Sequence, residues 1–432
     1  MQAVNFILKQ INNGRRQNSS IWKINMKNII YLIFICAAFL IAVACSEFLP
    51  PAPDSETVLA EPIEDLTPQQ LRDHLVGDGE FGRIFGQEDG LGPIFVSNAC
   101  ESCHIGDGKG HPLTTLKRFG KYSSGVWDPM LEQGGPQLQN RSIAGYPPES
   151  IPGDATGVTR LMPPAVTGLG YLAAIPDAVI LGLANPDDSN GDGISGVPNY
   201  IQPPDYFIPF PSHIPSNGKY IGRFGKKAGA IDLLHQIVGA YKQDMGVTSD
   251  FDTQDIFNIQ AGLTTGDFVD DPEVSAAIVN NVVFYVRTLK APPRREENGT
   301  DVLAGENLFN QINCSGCHIP SLITGFSDIS ALSEKEIHPY TDLLLHDMGS
   351  ELDDGYTEGT AITSEWRTAP LWGIGLAEDS QGGTPFYLHD GRVSSLEAAI
   401  GFHGGEASNS RDAFNNLSAG EKEQLIKFLK SL

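Results

Sequence analysis

Two short stretches constrain this chain more than anything else in it: Cys100-Glu-Ser-Cys103-His104 and Cys314-Ser-Gly-Cys317-His318. Each sets two thiols three positions apart and an imidazole directly after the second. Thiols so spaced reach the two vinyl groups of one porphyrin while the imidazole turns under the ring to bind iron, which is the pattern of covalent haem c attachment. Chance supplies about 0.002 such motifs in a chain of this composition, before a second copy is required. Zinc binding or thioredoxin-like redox use is the alternative, and a histidine following immediately both times argues against it. The other two of the six cysteines, Cys36 and Cys45, fall near the N-terminus, so none remains for a structural disulfide. Two haem c groups are expected.

A chain of 432 residues is long for one core and comfortable for two. The surroundings of the two motifs repeat: Gly92 and Phe95 precede Cys100, and Gly305 and Phe309 precede Cys314. Each half closes on an amphipathic pattern, Ile278, Val282, Val286 and Leu289 in one, Leu425, Ile426, Phe428, Leu429 and Leu432 in the other. The expected fold is mainly α, two cytochrome c-like domains in tandem spanning 66–292 and 293–432. The boundary falls at Lys290-Ala-Pro292-Pro293-Arg294-Arg295-Glu296-Glu297, where paired prolines stop a helix and a charge run reads as solvated. The first domain carries a long insertion, from about Lys117 to Asp271, expected to be irregular loops with short helices.

Met26 and Lys27 precede an apolar run from Ile29 to Ala44, too short for a spanning helix and right for a secretory signal, with residues 1–45 as upstream segment and signal. Ala44 followed by Cys45 reads as a lipoprotein box, and the Ser, Pro and Glu-rich stretch 46–65 as a tether to a lipid anchor; ordinary signal cleavage after Ala44 is the alternative. The chain is expected to be exported and periplasm-facing. A formal charge of −24 argues against nucleic acid as a partner.

The second half contains His389-Asp390-Gly391-Arg392, a helical pattern through Leu396, Ala399 and Ile400, then His403-Gly404-Gly405-Glu406-Ala. It also contains Asp342-Leu-Leu-Leu-His346-Asp347-Met348-Gly349 and Glu365-Trp366-Arg367-Thr-Ala-Pro370-Leu-Trp372-Gly. With Asp187-Asp188-Ser-Asn190-Gly-Asp192-Gly193 and Gly222-Arg-Phe-Gly225-Lys-Lys-Ala, these motifs resemble the di-haem oxidoreductases related to bacterial di-haem cytochrome c peroxidases, from about Gly90 to the end. The resemblance implies that the residue fourteen after His389 is the distal ligand of the second haem; here that is His403, making the second haem bis-histidine with His318. It also places His346 near that haem, where a satisfied core histidine is the alternative reading. Arg367 and Arg392 are candidates to pair haem propionates.

For the first haem, the stretch that mirrors His389 to His403 runs from Tyr171 to Asn185 and contains no His or Met. Its distal side is expected to be open or loosely held, with His111, Met162, His213 and His235 as rival sixth ligands, His235 and Met162 foremost. Glu132, Gln137 and Glu149 are candidates for the acid-base work of O–O cleavage, which the resemblance assigns to a Gln and a Glu in this region. Asp188, Asn190, Asp192 and the Ile194 carbonyl match the first half of a calcium loop, but position twelve is Asn199 instead of Glu; a metal-free turn is the alternative. The expected function is a peroxidase-like oxidoreductase that takes electrons from a small redox protein or a quinol-linked donor and passes them to hydrogen peroxide or a similar oxidant. A non-catalytic electron carrier is the alternative.

Overall fold

The computed structural model describes residues 58–432; the signal, Cys36, Cys45 and the first part of the tether lie outside the described residues. Among the described residues no helix is long and apolar enough to cross a membrane.

Two helix crossings organise the chain. Helix α1, Pro68–Phe81, starts on a capping box in which Thr67 and Gln70 satisfy each other's backbone N–H groups. It runs against a helix far along the sequence, Ala276–Thr288, with the short α2, Leu233–Ala240, packed beside the latter, which is therefore α3. Helix α4, Thr300–Gln311, crosses α6, Ala419–Ser431, with α5, Leu396–Gly401, lying between them in sequence. At each crossing a glycine removes the side chain that would hold the backbones apart. A Cβ on Gly77 would lie 2.2 Å from the Asn281 carbonyl oxygen, and one on Gly305 would lie 2.0 Å from that of Gln424. Four residues on, one helical turn along the same face, come Phe81 and Phe309, both buried.

The expected frame is thus partly moved. Phe309 sits on α4 as anticipated, but its counterpart is Phe81, not Phe95, which lies in a two-residue strand paired with Arg141 and Ser142. The closing helices are where the pattern put them. The buried face of α3 is Val279, Val282, Tyr285 and Val286, with Ile278 only partly covered. The charged run after α3 is less solvated than expected: Arg294 pairs with Glu306 at 2.8 Å.

The mainly α expectation also needs correcting, because the insertion is not simply irregular. Strand β1, Leu116–Ser123, pairs antiparallel with β2, Val126–Asp128, on one edge and β3, Gly157–Leu161, on the other. Alternate residues of β3, Gly157, Thr159 and Leu161, point inward, the period of two that a half-covered strand requires. Further two-stranded ladders include β4, Leu345–Asp347, with β5, Glu365–Arg367. The insertion also reaches across onto the second half: Val197 and Leu345 exchange backbone hydrogen bonds, Asn199 donates to the Lys227 carbonyl and accepts from Thr360, and Lys227 donates to the carbonyls of Thr363 and Glu365.

Candidate haem sites

Both attachment motifs fold as a tight turn in which the histidine N–H donates to the first cysteine carbonyl, Cys100 for His104 and Cys314 for His318, each at 3.0 Å. His104 Nδ1 meets the Pro164 carbonyl at 2.8 Å, and His318 Nδ1 meets the Tyr340 carbonyl at 2.8 Å. A carbonyl can only accept, so each Nδ1 carries the proton and each Nε2 keeps its lone pair, the arrangement an iron ligand needs. Burial drives both imidazoles down to about 4, so both are neutral. Phe81 lies 6.2 Å from the His104 ring and Phe309 lies 6.4 Å from the His318 ring, so each helix crossing supplies an aromatic wall beside its histidine. All four motif cysteines are free thiols, and burial pushes Cys100 and Cys314 up to about 12. The donor set and the unpartnered Nε2 atoms fit two haems.

The other histidines divide by the same test. His403, at the C-terminal end of α5, donates its Nδ1 proton to the Ala399 carbonyl at 2.9 Å, leaving Nε2 free, and it is close enough for its charge to depress His318. His111 and His213 do the reverse: Nδ1 accepts from the backbone N–H of Leu113 and of Phe210, both at 3.1 Å. In His235 Nδ1 accepts from Ile231 at 3.4 Å. A neutral imidazole that accepts at Nδ1 carries its proton on Nε2 and has no lone pair left for iron. Met162 fails for a different reason. Its Sδ already accepts a hydrogen bond from Gln381 Nε2 at 3.6 Å, and it belongs to the Met162-Pro163-Pro164 segment whose Pro164 carbonyl accepts from His104 Nδ1. Its own N–H donates to the His389 carbonyl at 2.7 Å.

Three partly buried cations gather near the first of these sites. Burial lowers Lys109 to about 8 and Arg367 to about 10, and drives Lys226 well below its ordinary value, with Lys109 and Arg367 adding to the effect. Arg367 spends Nε on the Gly225 carbonyl. Such a group of cations calls for anions, and haem propionates supply them. Arg392, the other arginine candidate, donates Nε to Asp390 at 2.8 Å and Nη1 to the Glu351 carbonyl, much as Arg367 also donates Nη1 to the Thr368 carbonyl. Lys109 and Lys226 escaped sequence reasoning, although Lys226 stood in the quoted Gly222-Arg-Phe-Gly-Lys-Lys motif.

Of the acid-base candidates, Gln137 and Glu149 join one network and Glu132 does not. Gln137 donates to Asp244 at 2.7 Å and to the Gln243 carbonyl, which also accepts from Gln139; Glu149 in turn accepts the Gln139 backbone N–H. The Asp244 charge bears on Cys100, so the network reaches the first attachment site. Glu149 is 7% exposed, and burial raises it to about 7. Glu132 lies exposed on the turn Leu131–Gln133. Sequence reasoning missed Gln139 and Asp244, which no motif marks.

His346 is 3% exposed and lies between Asp342, 2.8 Å from Nε2, and Glu406, 2.7 Å from Nδ1. Burial alone would lower it, but the two carboxylates hold it protonated. It touches Cys317, so a fixed positive charge stands beside the second site. The Asp188–Ile194 loop folds as self-satisfied turns, with Asp188 accepting from the Gly193 N–H and Asp192 from the Ile194 N–H. Asn199, its position twelve, is buried and committed to Lys227 and Thr360, so it is no ligand. Ser195 ties the loop to Glu406 at 2.8 Å.

Two histidines with free Nε2 atoms, each directly after a paired-cysteine motif, and a cluster of cations near the first define a protein built around two haem centres. The family model described as "Di-haem oxidoreductase, putative peroxidase" matches residues 154–432, and the chain belongs to this family. That match contains the second attachment motif and begins after the first, a shorter reach than the resemblance from about Gly90. No curated protein sequence matches. Among solved structures, hydrazine synthase of Kuenenia stuttgartiensis, pressurised with xenon, matches with 16% identity over 89% of this chain and 98% of that one, at a TM-score of 0.35, too loose to define a shared fold.

Proposed function

We propose that this chain is an exported, peroxidase-like di-haem c-type oxidoreductase, with a reactive haem on Cys100, Cys103 and His104 and an electron-relaying haem on Cys314, Cys317, His318 and His403. Each would sit in a cytochrome c-like unit, 66–292 and 293–432, organised by one of the two helix crossings. When bound, the haems supply one-electron iron chemistry and, at the first site, an open coordination position. The observation that carries this reading is the split in imidazole hydrogen bonding. His403 offers a lone pair near the second site, whereas His111, His213 and His235 have none to offer the first, and the Met162 sulfur is engaged by Gln381.

The chain's own groups then divide the work. His318 and His403, each with its Nδ1 proton on a carbonyl, would both hold the second haem, which would then supply electron exchange in place of a substrate site. Glu149, near neutrality and linked through Gln139 and Gln243 to Gln137, holds or releases the proton that O–O cleavage requires. Lys109, Lys226 and Arg367 neutralise propionates. The donor would be a small redox protein or a quinol-linked carrier, the oxidant hydrogen peroxide or a relative, and Cys45 the lipid attachment point that keeps the chain at a periplasm-facing membrane.

Electronic and EPR spectra of the purified haem-loaded protein, fully oxidised and half-reduced, test this. One low-spin bis-histidine signal beside a centre that is high-spin, or becomes so on half-reduction, and reacts with peroxide is the expected result. Two low-spin centres inert to peroxide in every redox state would make the chain an electron carrier.

A further inference from the structure

Away from the haem sites, four carboxylates gather where the chain approaches α3. Oxygen atoms of Asp255, Asp271 and Glu273 all lie within 4.8 Å of one another. Asp267 adds a fourth carboxylate, whose charge bears on both Asp255 and Glu273. It is 1% exposed, yet its Oδ2 meets no hydrogen-bond donor, and the same holds for Asp255 Oδ1 and Glu273 Oε1. Three buried carboxylate oxygens without donors in one place are costly unless something positive meets them. The nearby ammonium, Lys242, is already paired with Asp252 at 2.8 Å. Thr248 donates its hydroxyl to Asp271 and its backbone N–H to Glu273, fixing these two side by side while leaving their other oxygens available.

We propose that Asp255, Asp267, Asp271 and Glu273 hold a divalent cation, calcium by its chemistry. Oxygens 2.3 to 2.6 Å from a calcium ion can be no more than about 4.6 to 5.2 Å apart, the spacing found among Asp255, Asp271 and Glu273, with Asp267 beside them, and an all-oxygen donor set with several carboxylates is the set a hard cation takes. The ligands come from the two ends of one loop, so the ion clips it shut. That loop carries Asn258, which donates to the carbonyls of Pro147 and Pro148, and Gln260, which donates to those of Gln133 and Ser150. These contacts hold the segment bearing Glu149, so cation binding and the position of that buried acid are linked. The site is separate from the Asp188–Ile194 loop, and it stands whether or not the peroxidase reading does.

Haem-loaded protein stripped with a chelator, in the Asp192→Asn background to silence the other loop, would be titrated with calcium chloride alone by calorimetry and by thermal melting. The expected result is calcium binding with a rise in melting temperature. Asp255→Asn together with Asp267→Asn should weaken the affinity at least about tenfold and abolish that rise, while leaving the calcium-free melting temperature equal or higher because buried repulsion is relieved. Glu273→Gln provides the same readout should the double variant fail to fold. Calcium binding unchanged by these substitutions, or no calcium binding in the Asp192→Asn background, would overturn the proposal.

Discussion

The proton on an imidazole is placed by whatever Nδ1 meets, and here that one hydrogen bond separates His104, His318 and His403 from His111, His213 and His235. Replacing His403 by alanine should therefore convert the second haem from low-spin to high-spin, read by EPR, while leaving haem attachment intact; unchanged low-spin signals would remove His403 from the iron. Glu149 makes a second prediction. Its folded-state value, about 7, lies above its ordinary 4.5. Below about pH 4.5 both folded and unfolded chains hold the proton and the group contributes nothing. As pH rises from there to 7 the unfolded chain releases it first, so folding loses up to about 3 kcal/mol, and that loss stays in full above pH 7. Glu149→Gln should flatten this window and raise stability at pH 8, measured by denaturant titration at several pH values; a steeper pH dependence would contradict the buried-acid account. At this scale the two attachment motifs were legible because chemistry fixes them by spacing, and counting within a motif pointed to His403, whose Nδ1 meets the Ala399 carbonyl. The sequence could not reveal the contacts of Lys109, Gln139 or Asp244, whose partners are distant in the chain, nor the tautomers, which depend on carbonyls 60 and 22 residues away for His104 and His318.

Among the elements, the two closing helices were legible because an amphipathic period survives any context, whereas the first opening helix was misplaced. In the second half α4 ends three residues before Cys314, but in the first half α1 ends at Phe81 and a loop with a short strand intervenes before Cys100. Gly92 and Phe95 sat at the expected distance from the motif and so stood in for Gly77 and Phe81. The pair Gly-x-x-x-Phe on both helices was the available signal. Its role can be tested by adding one methyl. Alanine at a helical glycine gains up to about 1 kcal/mol in propensity, but at Gly77 and Gly305 the methyl would meet a backbone carbonyl at 2.2 and 2.0 Å, which cannot step aside without moving the partner helix. Overpacking of this kind costs about 1–3 kcal/mol and more where backbone must shift, so the clash wins. Gly77→Ala and Gly305→Ala should lower the melting temperature. Gly79→Ala, on the same helix with nothing within 4 Å, should hold or raise it. Equal effects at Gly77 and Gly79 would mean the crossing is not close-packed.

For the whole molecule, tandem repetition predicts two units that could unfold separately, and the contacts across them argue otherwise. The insertion belongs to the first half by sequence, but its Val197 pairs with Leu345, its Ser195 with Glu406, and its Asn199 with Thr360; Arg118 of β1 also pairs with Glu358. Glu406 alone binds Ser195, the Asp347 N–H and His346, so the group next to Cys317 is held in part by the first half. No periodicity in the sequence announces such links, because each joins residues more than 100 positions apart whose partners are polar groups common on any surface. Melting the second half alone would leave the fully buried Asn199 without its Thr360 donor and Glu358 acceptor, and the buried Lys227 without the Thr363 and Glu365 carbonyls. Each such orphaned buried group costs about 1–3 kcal/mol, so partial unfolding is penalised several times over. Heating the haem-loaded protein while following the Soret band, near-ultraviolet circular dichroism and far-ultraviolet circular dichroism should therefore give one coincident transition. Two resolved transitions, with haem environment lost in separate steps, would show that the halves fold independently and that the insertion's reach across them carries little energy.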